Sequence, residues 1–130
     1  PALRYAAAVE APARTLWMSV PKAQAHVYTE CARIWNPIHT EREYALASGL
    51  PDIILHGTCT WAMTLEHLAA VYAPGSDHPF RRFGARFSGP VIPGQDVTVE
   101  ASKPIDGRLA FAVRSVDGKL ALSHGVAELA

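Results

Sequence analysis

The sequence predicts an α+β domain in which an antiparallel sheet wraps one long apolar helix. Two observations predict it. Between Gly57 and Tyr72, the residues Cys59, Ala62, Met63, Leu65, Leu68, Ala69, Val71 and Tyr72 cover more than one helical face, whereas a surface helix shows a single stripe. The second half of the chain is strand material broken by Asp106-Gly107 and Asp117-Gly118, both strong hairpin turns. Strands joined by tight hairpins after a helix-rich first half imply an antiparallel sheet.

The chain has 130 residues, enough for one domain with a real core. Its formal net charge is zero and only 18% of residues are charged, so bulk electrostatics point to neither nucleic acid nor a membrane surface. Hydrophobic residues make up 49%, which suggests that some apolar surface is buried between subunits. The longest apolar runs are too short to span a bilayer and no secretory signal opens the sequence, so a cytoplasmic protein is expected. Cys31 and Cys59 lack metal or redox spacing and read as two reduced, packed thiols. No ligand cluster suggests a metal or redox cofactor.

Residues 1–13 read as an arm of small residues with two prolines. Thr15 to Val20 is a strand ended by Pro21, and Ser19-Val20-Pro21 starts a helix over roughly Lys22 to Arg33. Thr40, with Glu43 three residues on, predicts a capping box for a helix from Glu41 to Ser48, stopped at Gly49. Leu50 to His56 is an extended approach to the long helix, which Ala73-Pro74-Gly75 ends. Phe80 to Phe87 is a strand leading to a bend at Pro90 to Gly94, where two prolines exclude a regular ladder. Val97 to Ala101 alternates with period two, and Leu109, Phe111 and Val113 share one face of the next strand.

The stretch from Trp35 to Trp61 organises the rest. Pro37 stiffens the loop from which His39 projects. His56-Gly57 precedes a helix whose first N–H groups have no intrahelical partner. An imidazole facing free amides suits polarising a carbonyl and moving a proton beside it.

Asn36-Pro37-Ile38-His39, then Ala47 to Gly49-Leu50-Pro51, Ile53 to His56-Gly57 and the run Arg86 to Gly94 resemble the MaoC-like, (R)-specific enoyl-CoA hydratase branch of the hotdog-fold proteins. The resemblance covers most of the chain from about residue 15. It implies residues 14–130 as one hotdog domain, with 1–13 as an arm or interdomain linker. It also implies pairing with a second hotdog, as a homodimer or as the C-terminal half of a double-hotdog protein. The implied reaction is addition of water across the 2,3 double bond of an enoyl thioester, carried by CoA or a carrier protein, or its reversal.

The resemblance makes His39 the acid/base and gives the Gly57 N–H the thioester carbonyl to bind. Without a Cβ, Gly57 lets a ligand approach closely, although a glycine there could simply serve the strand-to-helix turn. Asn36, His56 and Thr58 are further candidates for the substrate side. Asn36 is expected to hold the loop through its amide, and His56 to support rather than carry protons. Arg81, Arg82 and Arg86 form a basic cluster suited to phosphates, with Arg86 the candidate contact, or else a solvated strand with an internal ion pair. The sequence departs from the hydratases at Ile34, where they carry an aspartate that acts with the histidine on water. That departure supports an alternative, a non-catalytic hotdog that binds acyl thioesters or completes a partner subunit.

Overall fold

The structure is a computed structural model and describes residues 6–130. Five antiparallel strands, β1 (Arg14–Ser19), β2 (Phe80–Phe87), β3 (Asp96–Ala101), β4 (Arg108–Arg114) and β5 (Leu120–Leu129), form one sheet in the order β1-β3-β4-β5-β2. Three helices precede most of it: α1 (Gln24–Ala32), α2 (Arg42–Ala47) and the long α3 (Gly57–Tyr72). The expected architecture is therefore present, a hotdog in which the sheet curls round α3.

Helix α3 begins at Gly57 and ends at Tyr72, as the sequence predicts. Its most buried residues, Cys59, Thr60, Thr64 and Leu68, line one stripe against the sheet, and the Thr64 hydroxyl is satisfied by the Thr60 carbonyl one turn back. Leu68 is fully buried, a transfer contribution of roughly 2 kcal/mol. The predicted face of β4 is confirmed: Leu109, Phe111 and Val113 all lie in the core with Met18, Val97, Val99 and Leu122. Phe83 stacks on Phe111 at 4.7 Å and meets Trp61 edge-on at 5.5 Å, so aromatic contacts fasten α3 to the sheet.

Both predicted hairpin turns form. Asp106 (φ 51°) and Gly107 (φ 73°) make the two-residue β3–β4 turn, in which Ile105 and Arg108 exchange both backbone hydrogen bonds. In the β4–β5 turn the Asp117 carboxylate accepts from the Ser115 hydroxyl and the Lys119 amide. Those donors hold its pKa below the usual carboxylate range. Strand β5 carries a bulge: Gly84 pairs with Val126 but Arg86 with Ser123, and across the other ladder Phe111 pairs with Gly125 but Val113 with Leu122. The extra residue, His124, sits at φ 54°, and its amide donates to the carbonyl of Ala7, ahead of β1. A Cβ at Gly125 would collide with the Phe111 carbonyl and ring, so only glycine fits.

Three local expectations are corrected. Thr40 caps nothing at α2: it closes a 3₁₀ turn over Pro37–His39, donating its amide to the Pro37 carbonyl, and Glu41 is the α2 N-cap without a side-chain bond. Ser19 does not start α1 either. It is the last residue of β1, paired with Asp96, and Ala23 is the N-cap. Of the two thiols expected to be packed, Cys59 is buried, which pushes its pKa up, while Cys31 is exposed. Among the described residues no helix is long and apolar enough to cross a membrane.

Candidate active site

Arg33, at φ 57°, turns the chain out of α1 in a left-handed cap, and the Ile34 amide reaches back to the Thr29 carbonyl. The chain leaves extended to Asn36. The Asn36 side-chain oxygen accepts from the Ile38 amide and caps the 3₁₀ turn that ends at His39. Asn36 therefore holds the loop, as its type and position suggest.

His39 is 8% exposed, and its Nδ1 lies 2.7 Å from the Ile54 carbonyl oxygen. A carbonyl only accepts, so Nδ1 carries the proton in the neutral ring and Nε2 keeps a lone pair. The approach segment that supplies this carbonyl is itself fixed: the Ile54 amide donates to Ile38 and the Leu55 amide to Val91 in the Pro90–Gly94 bend. The stiffness read from Pro37 thus has a second source in the tie to Ile54.

His56 is the N-cap residue of α3 but makes no side-chain cap. It is 2% exposed and stacks face to face on His39, with ring centroids 3.7 Å apart. Its Nε2 is 3.0 Å from the Thr29 hydroxyl, and Tyr28 covers its other side at 4.7 Å. His56 Nδ1 has no hydrogen-bond partner among the described residues. Burial, with the neighbouring His39 charge, lowers the His56 pKa from 6.5 to about 4; the Ile34 carbonyl pulls weakly the other way without closing a bond. His56 is therefore neutral at pH 7.

A cavity of about 270 Å³ opens beside these rings, lined by His39, Leu50, Ile54, Leu55, Gly57, Thr60, Phe87, Gly89, Pro90, Ala121 and Leu122. Its walls are mainly apolar, with the His39 ring and the first turn of α3 facing in. The Gly57 amide has no acceptor among the described residues. A larger hollow of about 600 Å³, with Lys22, His26 and Arg42 on its wall, contains neither stacked imidazole.

Of the six residues singled out from the sequence, His39 and Gly57 meet at this cavity. His56 sits behind His39 and off the lining. Thr58 is exposed and accepts a hydrogen bond from Tyr28 at 3.0 Å, away from the cavity. Arg86 is exposed on β2 and also outside it. Its neighbours Arg81 and Arg82 lie 3.7 Å from buried Glu128, which Arg108 approaches to 3.2 Å. That part of the basic cluster is an ion-pair network within the sheet. Phe87 and Leu122 were missed: they share the cavity because they pair across β2 and β5, which no local pattern reveals.

Residues 4–121 match the MaoC like domain family. The chain belongs to that family. Over 102 residues this MaoC-like domain is 36% identical to the enoyl-CoA hydratase ChsH3 of Mycobacterium tuberculosis, covering 78% of this chain and 35% of that protein. The full-length peroxisomal multifunctional enzyme type 2 of Drosophila melanogaster superposes with a TM-score of 0.86 at 30% identity, over 99% of this chain and 24% of that one. The MaoC-like domain thus spans about a third and a quarter of these relatives. A MaoC-like dehydratase from Phytophthora capsici (TM-score 0.90, 24% identity, 100% of this chain and 45% of that chain) shares the fold.

Proposed function

We propose that this MaoC-like domain hydrates enoyl thioesters, or dehydrates 3-hydroxyacyl thioesters, in the His39–Gly57 cavity. The carrying observation is the His39 ring, with Nδ1 held on the Ile54 carbonyl so that Nε2 is left free, at a cavity it shares with a Gly57 amide that has no acceptor among the described residues. In hydration, His39 Nε2 takes a proton from water as its oxygen bonds to C3. The double-bond electrons move towards the thioester oxygen, where the Gly57 N–H and the partial positive charge of the helix start stabilise them. The imidazolium then returns the proton to C2, so one residue serves as base and acid. The site relatives' names support an acyl-CoA carrier. Pairing of β1 or β2 edges with a second hotdog, as a homodimer or a second domain, would cover edges that have no partner strand among the described residues.

Ile34 supports a second reading, a hotdog that binds acyl thioesters or completes a partner without turnover. Ile34 is 38% exposed and outside the cavity lining, at the position where the hydratases carry aspartate, and it can neither orient water nor accept a proton. The test follows loss of conjugated-thioester absorbance with a short trans-2-enoyl-CoA. The hydratase reading expects turnover that His39→Ala abolishes and Ile34→Asp raises about tenfold. Folded protein that binds the thioester without turnover, in the parent and in Ile34→Asp, would establish the second reading.

A further inference from the structure

We propose that Phe87 sets the acyl length that the cavity accepts, so that the substrates are short enoyl thioesters of about four to six carbons. The inference rests on the thioester reading of the same cavity and deepens it by naming the substrate class.

The volume comes first. At about 270 Å³ the cavity falls just below the usual range for sites that hold drug-sized ligands, about 300–1,000 Å³. At about 30 Å³ for each water-sized group, it takes about nine such groups. The sulfur, the carbonyl carbon and oxygen and the attacking water use four of them. About five remain for the rest of the acyl chain.

The walls decide which residue enforces that limit. Leu55 and Leu122 are buried, held by the Val91 carbonyl and by the β4–β5 ladder, and cannot retreat. Phe87 differs from them. It is the last residue of β2, a strand paired on one side only among the described residues, and it is 57% exposed although it lines the cavity. Its ring lies 3.0 Å from the point where a Cβ on Gly57 would stand, so it leans on the first turn of α3. Across the ladder it faces Leu122, just beyond the step where the β5 bulge shifts the register. Phe87 is thus the lining aromatic ring that bridges helix and sheet, and it is exposed where the other large apolar lining residues, Leu50 and Ile54 included, are buried or half-buried. Truncating it opens the cavity outward without removing a core residue.

The experiment measures kcat/KM for trans-2-enoyl-CoAs of four, six, eight and ten carbons with the parent, Phe87→Ala and Phe87→Trp. The parent is expected to prefer four or six carbons over ten by at least tenfold, the scale on which an apolar pocket senses chain length. Phe87→Ala should cut that ratio at least tenfold, and Phe87→Trp should restrict acceptance to four carbons. Each ratio is taken within one protein, so a general loss of activity or stability does not alter it. Ratios unchanged in both variants would overturn the proposal. If no protein turns over, calorimetric binding of the saturated acyl-CoAs is read instead. The same length order, relaxed by Phe87→Ala, sustains the proposal while the hydratase reading fails, and binding indifferent to length or to Phe87 overturns it.

Discussion

Two polar clusters in this molecule each centre on a buried side chain and differ in how far they are satisfied. Around Glu128, whose side chain is 5% exposed, Arg81, Arg82 and Arg108 approach the carboxylate from three directions. Around His39 and His56 there is no carboxylate within ion-pairing distance among the described residues, and one buried nitrogen has no partner. The first cluster is closed: its charges answer one another and tie β2, β4 and β5 together. The second is open, with a lone pair on His39 and a free amide on Gly57 facing a cavity. Buried polar groups are normally paired, so the unpaired His56 nitrogen behind the cavity marks a place where the fold gives up stability.

Substitutions break the contrast in order of effect. His39→Ala is expected to lower hydration kcat by about 10²–10⁴, the usual scale of general acid–base catalysis, at a stability cost of about 1 kcal/mol for one lost hydrogen bond. Enoyl-CoA absorbance and a thermal melt on the same preparation check both halves. Acid should act on the open cluster next. Between about pH 6.5 and 4 the unfolded chain protonates His56 while the fold keeps it neutral. Stability is therefore complete above about pH 6.5 and falls as pH drops towards 4, by about 3 kcal/mol in all. Denaturant midpoints at pH 7 and pH 4.5 measure the slope, which His56→Phe should flatten. Glu128→Gln, by contrast, should cost about 1 kcal/mol, less than a fully buried pair because its arginines are largely exposed, and should leave hydration kinetics intact. Arg86→Ala should be smallest, within about 0.5 kcal/mol by thermal melting.

The same contrast explains what the sequence made legible. Helix α3 was readable to the residue because Gly57 and Ala73-Pro74-Gly75 punctuate it and its apolar residues exceed one stripe. Leu109, Phe111 and Val113 were readable because β4 keeps period two. Strand β5 resists that reading. Leu122 and Ala127 both face the core although five positions apart, because the bulge at His124 switches the parity, and Gly125 is explained only by the Phe111 carbonyl opposite. At the site, the short loop motif and the helix start pointed to His39 and Gly57. The Thr29–His56 bond and the Phe87 wall join segments far apart in the chain, so no spacing rule announces them. The Thr40–Glu43 capping box failed for a related reason: the proline turn before it had already used the Thr40 amide.

The tie between Leu55 and Val91 has a consequence for how the protein comes into being. The segment that orients His39 is fastened to the bend after β2, while the far wall of the cavity is contributed by Ala121 and Leu122 of the last strand. A chain emerging from the ribosome therefore carries its histidine and the helix sequence before the cavity has its far wall. The cavity closes when non-local pairing completes the sheet, the slow step for such topologies. Folding and the cavity then arrive together, and a chain truncated before β5 would carry the His39 motif without a chamber around it.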